Sequence, residues 1–236
     1  KDIIANQSAT ATIALSEKRF QYQKNVNKLN NNHTYFIIPN SPCGPAKRLK
    51  SNYFRDMFNI LDNKPIVLFI GSLNWSLAKK VFEETKSLKT NDYHMIFHAR
   101  TKNQMGSEPH PFIKISNTPL PSNLVDYAIS SADIGLVLYD KESLPEKENG
   151  ETGGKIGTYL KNILPVIAGN LDVFIKYEDE QIGIFWNGKT DINEVILNTI
   201  EKSSQLIPNI ENFYNENLAF NNYFESFYHY LKDKLA

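Results

Sequence analysis

From Gly150 to Asn170 the sequence runs Gly-Glu-Thr-Gly-Gly-Lys-Ile-Gly-Thr-Tyr-Leu-Lys-Asn-Ile-Leu-Pro-Val-Ile-Ala-Gly-Asn. A polar loop ends there in Thr152, Gly153, Gly154 and Lys155, and a helix pattern begins. Paired glycines at a helix start open consecutive backbone N–H groups, and Lys155 adds a full positive charge. The natural guest is an anion of diphosphate type. The plainer alternative is a glycine hinge before an ordinary helix, and the segment lacks the Gly-Lys-Ser/Thr spacing of a P-loop. Two further loops carry candidate groups. Gly71-Ser72-Leu73-Asn74-Trp75 follows a buried apolar run. A glycine there lets a ligand approach the backbone, and Ser72 and Asn74 can cap the next helix or donate to a phosphate. A tight turn before a capped helix would use the same residues. The stretch His98 to Lys102 contains Arg100, one of four arginines, and a guanidinium just beyond a strand end can grip a phosphate. His98 itself reads better as a packed or solvent-facing imidazole than as an acid or base.

The elements that must position these loops alternate. Pro65 to Ile70 reads as a fully buried parallel strand, and Leu77, Val81, Phe82 and Leu88 recur after it at helical spacing. Strands follow over Tyr93 to Ala99, Phe112 to Ile115, Ile134 to Leu138, Pro165 to Ala168 and Ile182 to Trp186. Helices are expected over Ser122 to Ser131, from near Gly153, over Asp172 to Tyr177 and from Asp191 to about Ser203. The order predicts an α/β fold, a doubly wound, Rossmann-like parallel sheet with helices on both faces. Ligands of such sheets sit at the carboxyl ends of the strands. Upstream, Thr10 to Leu15, a helix from Ser16 and Tyr35 to Ile38 read as remnants of a second α/β domain at the N-terminus. Asn40 to Ala46, with Pro42, Gly44 and Pro45, reads as a linker. The division expected is 1–62 for those trailing elements and the linker, 63–210 for the ligand-binding domain, and 211–236 for a helix rich in aromatics that braces the two halves.

Composition narrows the function classes. The chain has 236 residues, 41% hydrophobic and 22% charged, which excludes the disordered and collagenous classes. Its 26 basic side chains balance 26 acidic ones, so the broad positive field of a nucleic-acid binder is missing. Cys43 is the single cysteine and cannot form an intrachain disulfide, and no Cys/His cluster has zinc spacing. A reduced, cytoplasmic setting is the expectation. No apolar run approaches the roughly 20 residues that span a bilayer. The first residue is Lys1 rather than Met, which suggests a chain with upstream sequence removed.

Three segments carry a family resemblance. Ala132-Asp133-Ile134-Gly135-Leu136, then Gly153-Gly154-Lys155, then Leu164-Pro165-Val166-Ile167-Ala168 stand in the order and spacing of the donor-binding half of GT-B glycosyltransferases, the retaining group classed as family 4. Ala14-Leu15-Ser16-Glu17 and Ile37-Ile38-Pro39-Asn40 resemble the last elements of that family's acceptor-binding domain. The final aromatic helix resembles the one that returns to brace it. The resemblance implies a nucleoside-diphosphate sugar, UDP-linked, as substrate, with no cofactor and no divalent metal required. The donor would be held by Gly71, Ser72, Asn74, Arg100, Thr118 in the base loop Ser116 to Pro121, Tyr139, Thr152, Gly153, Gly154 and Thr158. Lys155 would neutralise the leaving diphosphate, and Glu151 would contact sugar hydroxyls. Where the family carries Arg and Lys after the first-strand glycine, this chain has Ser72 and Leu77, with Lys79 and Lys80 nearby. Thr158 stands where the family has Glu.

The function expected is therefore transfer of a sugar from a nucleoside-diphosphate donor in surface glycan or glycoprotein assembly. The partner implied is an N-terminal acceptor domain or subunit, through which the protein could associate peripherally with a membrane. Two other readings stay open: a non-catalytic GT-B-like subunit, which Ser72 and Leu77 favour, and a sugar-nucleotide epimerase of the same fold. A receiver-type regulatory domain is disfavoured because the strand ends lack clustered acidic residues.

Overall fold

The structure, a computed structural model, describes residues 2–89, 92–99, 110–139 and 154–235. In chain order the elements are α1 (Asp2–Ser8), β1 (Thr12–Ala14), α2 (Glu17–Asn27), β2 (Tyr35–Ile37), α3 (Tyr53–Phe58), β3 (Ile66–Ile70) and α4 (Ser76–Lys86). They continue with β4 (His94–His98), β5 (Ile113–Ser116), α5 (Val125–Ser130), β6 (Ile134–Leu138), α6 (Gly154–Lys161), β7 (Val166–Gly169), α7 (Ile175–Asp179), β8 (Gly183–Trp186), α8 (Ile192–Asn217) and α9 (Asn221–Leu235).

The β3 sequence Ile-Val-Leu-Phe-Ile has no polar side chain, and its first four residues are buried, as a strand covered on both faces requires. It lies third in a six-stranded sheet of order β5-β4-β3-β6-β7-β8. Every pairing in that sheet is parallel. The chain starts in the middle, winds outward through β4 and β5, then returns to β6 and winds the other way. The reversal between β3 and β6 is the topological switch point of a doubly wound fold, so the expected architecture is present.

Alternate side chains of β3 feed two cores. Val67 and Phe69 pack with Leu77, Val81 and the first turns of α8, while Ile66 and Leu68 pack with α5, α6 and the later turns of α8. Helix α8 thus passes from one face of the sheet to the other. Ile192 and Ile196 belong to one core, and Leu206, Ile210 and Tyr214 to the other. The sequence suggests an end near Ser203, yet the helix runs unbroken for 26 residues through Pro208. Pro208 and Ser204 are both exposed, so the carbonyl that the proline leaves without its helical donor faces water. Helix α3 was not foreseen, and the segment expected as one helix over 172–177 divides into a 3-10 turn at Asp172–Phe174 and α7.

Strands β1 and β2 form a separate two-stranded parallel sheet. Ser16 caps α2 by accepting from the Arg19 N–H, and the Phe20 ring stacks on Tyr35 at 3.7 Å. From the other end of the chain, α9 lays Phe227 and Tyr230 on Phe36, with ring centroids 5.3 and 5.2 Å away. The Tyr230 hydroxyl donates to the Thr10 carbonyl at 3.0 Å. Residues 40–47 have no regular structure but are tied down. Asn215 Oδ1 accepts from Ala46 N at 2.8 Å, Lys47 N donates to the Lys161 carbonyl at 2.7 Å, and Tyr214 donates to the Pro42 carbonyl at 2.6 Å. Among the described residues no helix is long and apolar enough to cross a membrane.

Burial pushes the Tyr214 hydroxyl up to about 12 from its ordinary 10.0. The folded state therefore keeps this proton at a pH where the unfolded chain gives it up. Its contribution is full below pH 10 and is lost as pH climbs toward about 12. Urea unfolding between pH 8 and 12 should show an alkaline loss of stability that Tyr214→Phe makes shallower.

Candidate functional site

The crevice at the switch point is opened by a glycine and filled by a tyrosine. Pairing between β3 and β6 covers Val67 to Phe69 only, while β3 continues to Ile70. Gly135 on β6 has no side chain, and a Cβ there would stand 2.6 Å from the Tyr159 ring. The ring lies flat in that space and its hydroxyl reaches β3 at the last rung of the ladder. It accepts from Ile70 N at 3.0 Å and donates to the Leu68 carbonyl at 3.2 Å. Burial drives the hydroxyl well above its usual range, so it remains protonated and keeps both bonds.

Tyr159 belongs to α6, and Lys155 stands one turn earlier on the same helix face. With Tyr159 pinned to β3, the lysine reaches the end of that strand. Its Nζ would lie 2.8 Å from a Cβ on Gly71, so a side chain at this position would displace the ammonium from where it sits. Three ring faces surround the same nitrogen: Trp75 at 4.1 Å, Tyr139 at 5.0 Å and Phe69 at 5.5 Å from the centroids. The ammonium is shielded from solvent by them.

The opposite face of α6 carries its own close approach. A Cβ on Gly154 would stand 3.1 Å from Asn40 Nδ2, and one on Gly157 would stand 2.9 Å from Ser41 Oγ. The linker thus lies across the first turn of α6, which is held between the linker and β3. Its C-terminal end is fixed as well. Lys161 pairs with Asp126 at 2.7 Å, and Asn162 reaches both Asp126 and Ser130.

Of the residues singled out in the sequence, Gly71, Tyr139 and Lys155 meet in one place, with Gly154 at the start of the helix that carries the lysine. Ser72 Oγ accepts from Asn74 N at 3.2 Å and closes a turn. Neither side chain caps α4, whose N-cap is Trp75 with no side-chain bond, so the capping expected of them is not seen. Thr158 donates to the Gly154 carbonyl at 2.6 Å, and Thr118 is exposed in the loop after β5. Arg100, Glu151, Thr152 and Gly153 lie outside the described residues. His98 is packed at the end of β4 with its Nδ1 3.0 Å from Ser116 Oγ, and burial lowers its pKa. Trp75 and Phe69 were not singled out. The signal for Phe69 was alternation along β3, which puts it on the face toward α4, whereas Trp75 gave no more than an aromatic in a polar loop. A cavity of about 340 Å³ opens elsewhere, between the loop after β1, the linker, α6, α7 and the end of α8. Ser16, Asn40, Gly157, Lys176 and Phe213 line it, and Gly71, Tyr139 and Lys155 do not.

No family model matches the chain, and no curated protein matches it. Solved structures do. Sucrose-phosphate synthase from Thermosynechococcus elongatus superposes with TM-score 0.64 at 12% identity, over 99% of this chain and 60% of that one. A glycosyltransferase from Rickettsia africae gives 0.61 at 12% identity, over 93% and 63%. Anabaena HepE in complex with UDP gives 0.62 at 11% identity, over 98% and 65%. The chain thus spans less than two-thirds of the length of these structures. At such identities the likeness speaks for the fold, which is that of GT-B glycosyltransferases.

Two substitutions test the geometry of the crevice. Tyr159→Phe removes the hydroxyl that bonds Ile70 N and the Leu68 carbonyl and should cost about 0.5–1.5 kcal/mol in urea unfolding. Gly135→Ala drives a methyl into the Tyr159 ring and should cost about 1–3 kcal/mol.

Proposed function

We propose that the chain binds a nucleoside-diphosphate sugar, UDP-linked, at the switch-point crevice, and serves sugar transfer to an acceptor in surface glycan or glycoprotein assembly. The observation that carries this reading is the Lys155 ammonium, held against Gly71 where β3 and β6 part. It lies at the carboxyl ends of the strands, where doubly wound sheets bind ligands. The N-terminus of α6 starts one residue before it and directs backbone N–H groups and a positive dipole end the same way. The fold is shared with Anabaena HepE, which was solved with UDP and with UDP and glucose.

In this reading Gly71 lets a phosphate come up to the strand end, and the loop holding Thr118 receives the base. As the bond from the anomeric carbon to the phosphate oxygen breaks, the electron pair leaves with the diphosphate. Lys155 and the α6 N–H groups oppose the negative charge that grows there. The retaining outcome and the sugar contact assigned to Glu151 follow the family-4 resemblance, as do the roles of Arg100, Thr152 and Gly153.

Acceptor binding falls to a further α/β unit, supplied upstream or by a partner subunit. The two-stranded sheet of β1 and β2 supports this, because parallel sheets are normally covered on both faces and extended by neighbours. Ile13, Leu15 and Tyr35 on and beside it are exposed at 45%, 38% and 39%.

Calorimetric titration with UDP is the test, with micromolar binding expected. Lys155→Ala should weaken it by about 1.5–3 kcal/mol, roughly ten- to a hundredfold, with little change in melting temperature. A wild-type chain that binds no nucleotide would favour the scaffold reading, which Ser72 and Leu77 in place of cations already support.

A further inference from the structure

We propose that Trp75 and Tyr139 are positioning residues that hold the Lys155 ammonium over Gly71 before any ligand arrives. The inference rests on the diphosphate reading of the site and names what fixes its cation.

Lysine is a compact charge on four rotatable bonds, so an unrestrained ammonium would have to be ordered at the moment of binding. Here it is ordered already. Its nitrogen sits 4.1 Å from the centre of the Trp75 ring and 5.0 Å from that of Tyr139, within the range of attraction between a cation and an aromatic face. The two rings come from the two loops that flank the switch point. Trp75 stands at the end of the loop after β3, where its backbone starts α4, and Tyr139 directly follows β6. Their centroids are 5.3 Å apart, so the pair bridges the crevice under the lysine.

Neither ring is loose. Tyr139 is 8% exposed and packs on Phe174 at 5.9 Å, and Trp75 touches both cores of the domain. Ordinary core packing would explain a large apolar side chain at either place. It would not explain why both turn toward one ammonium, nor why a glycine, Gly71, lies against that ammonium.

The test compares Trp75→Leu, which keeps apolar bulk and removes the aromatic face, with Trp75→Phe, which keeps a face. Affinity is read by calorimetry for UDP and by NMR titration for uridine, which has no phosphate. Trp75→Leu should weaken UDP about tenfold and leave uridine unchanged, and Trp75→Phe should restore most of the loss. Equal UDP affinity in wild type and Trp75→Leu would overturn the proposal, as would a parallel loss for uridine and UDP. A second readout needs no ligand. In lysine-labelled protein the Lys155 ε-methylene protons should be shifted upfield by the ring currents, and the shift should vanish in Trp75→Leu and shrink in Tyr139→Leu. If wild type shows that shift but binds no UDP, the diphosphate reading fails while the cage stands. If the shift is missing, the positioning role fails whatever the nucleotide does. Should Trp75→Leu not fold, Tyr139→Leu carries the UDP and uridine comparison in its place.

Discussion

The contact on which the rest of the domain depends is the Tyr159 ring lying on Gly135 with its hydroxyl at the fork between β3 and β6. Where two parallel strands diverge, their backbone groups need support, because buried polar groups left without partners are costly. The Tyr159 hydroxyl supplies it, accepting from Ile70 and donating to Leu68. That solution needs a flat side chain arriving from above the sheet and a strand residue with no side chain beneath it. Both the opening of the crevice and the placement of α6 follow from this one pairing. Because Lys155 lies one turn before Tyr159, the pairing also decides where the charge goes.

The other face of α6 answers to a different constraint. Gly154 and Gly157 are three residues apart, and each lets the backbone of the helix come close to the linker at Asn40 and Ser41. The linker is in turn held by the far end of α8 through Tyr214 and Asn215. A change in how the linker lies would therefore be felt at the helix that carries Lys155. The same linker leads out of β2, whose Phe36 α9 covers with Phe227 and Tyr230. The site helix and the N-terminal unit are thus mechanically joined by a few residues that carry no charge.

Much of the fold was legible because its signals are local. Strands β3, β6 and β7 are short apolar runs, and the sequence places β3 and β6 within a residue. The alternation of strands and helices then gave the doubly wound class. Helix α8 was read short because its apolar period changes face midway and Pro208 mimics a stop. Both features make sense only once the helix is seen crossing the sheet edge. At the site, Gly71 and Lys155 were legible as residue types suited to an anion, and the structure places them in contact. Trp75 was not, since what matters about it is a ring face turned toward a lysine 80 positions later, and no local pattern encodes that. Gly135 was noticed only as part of a resemblance, while its physical role belongs to a partner 24 positions away.

Among the described residues the crevice holds one lysine, and its surroundings bear on how that charge acts. Exposed charges in water attract a phosphate weakly, because solvent screens them and their side chains must be ordered. Walls of Trp75, Tyr139 and Phe69 reduce the water near Lys155, and in such surroundings each charge acts at a lower effective dielectric. The neighbouring start of α6 contributes oriented N–H groups that are rigid by construction. A charge held beside aromatic faces and a helix terminus needs less ordering when an anion arrives than mobile charges at a wet surface do. Leu77, by contrast, packs into the core beside Gly169 and Trp186, so that position contributes packing and no charge.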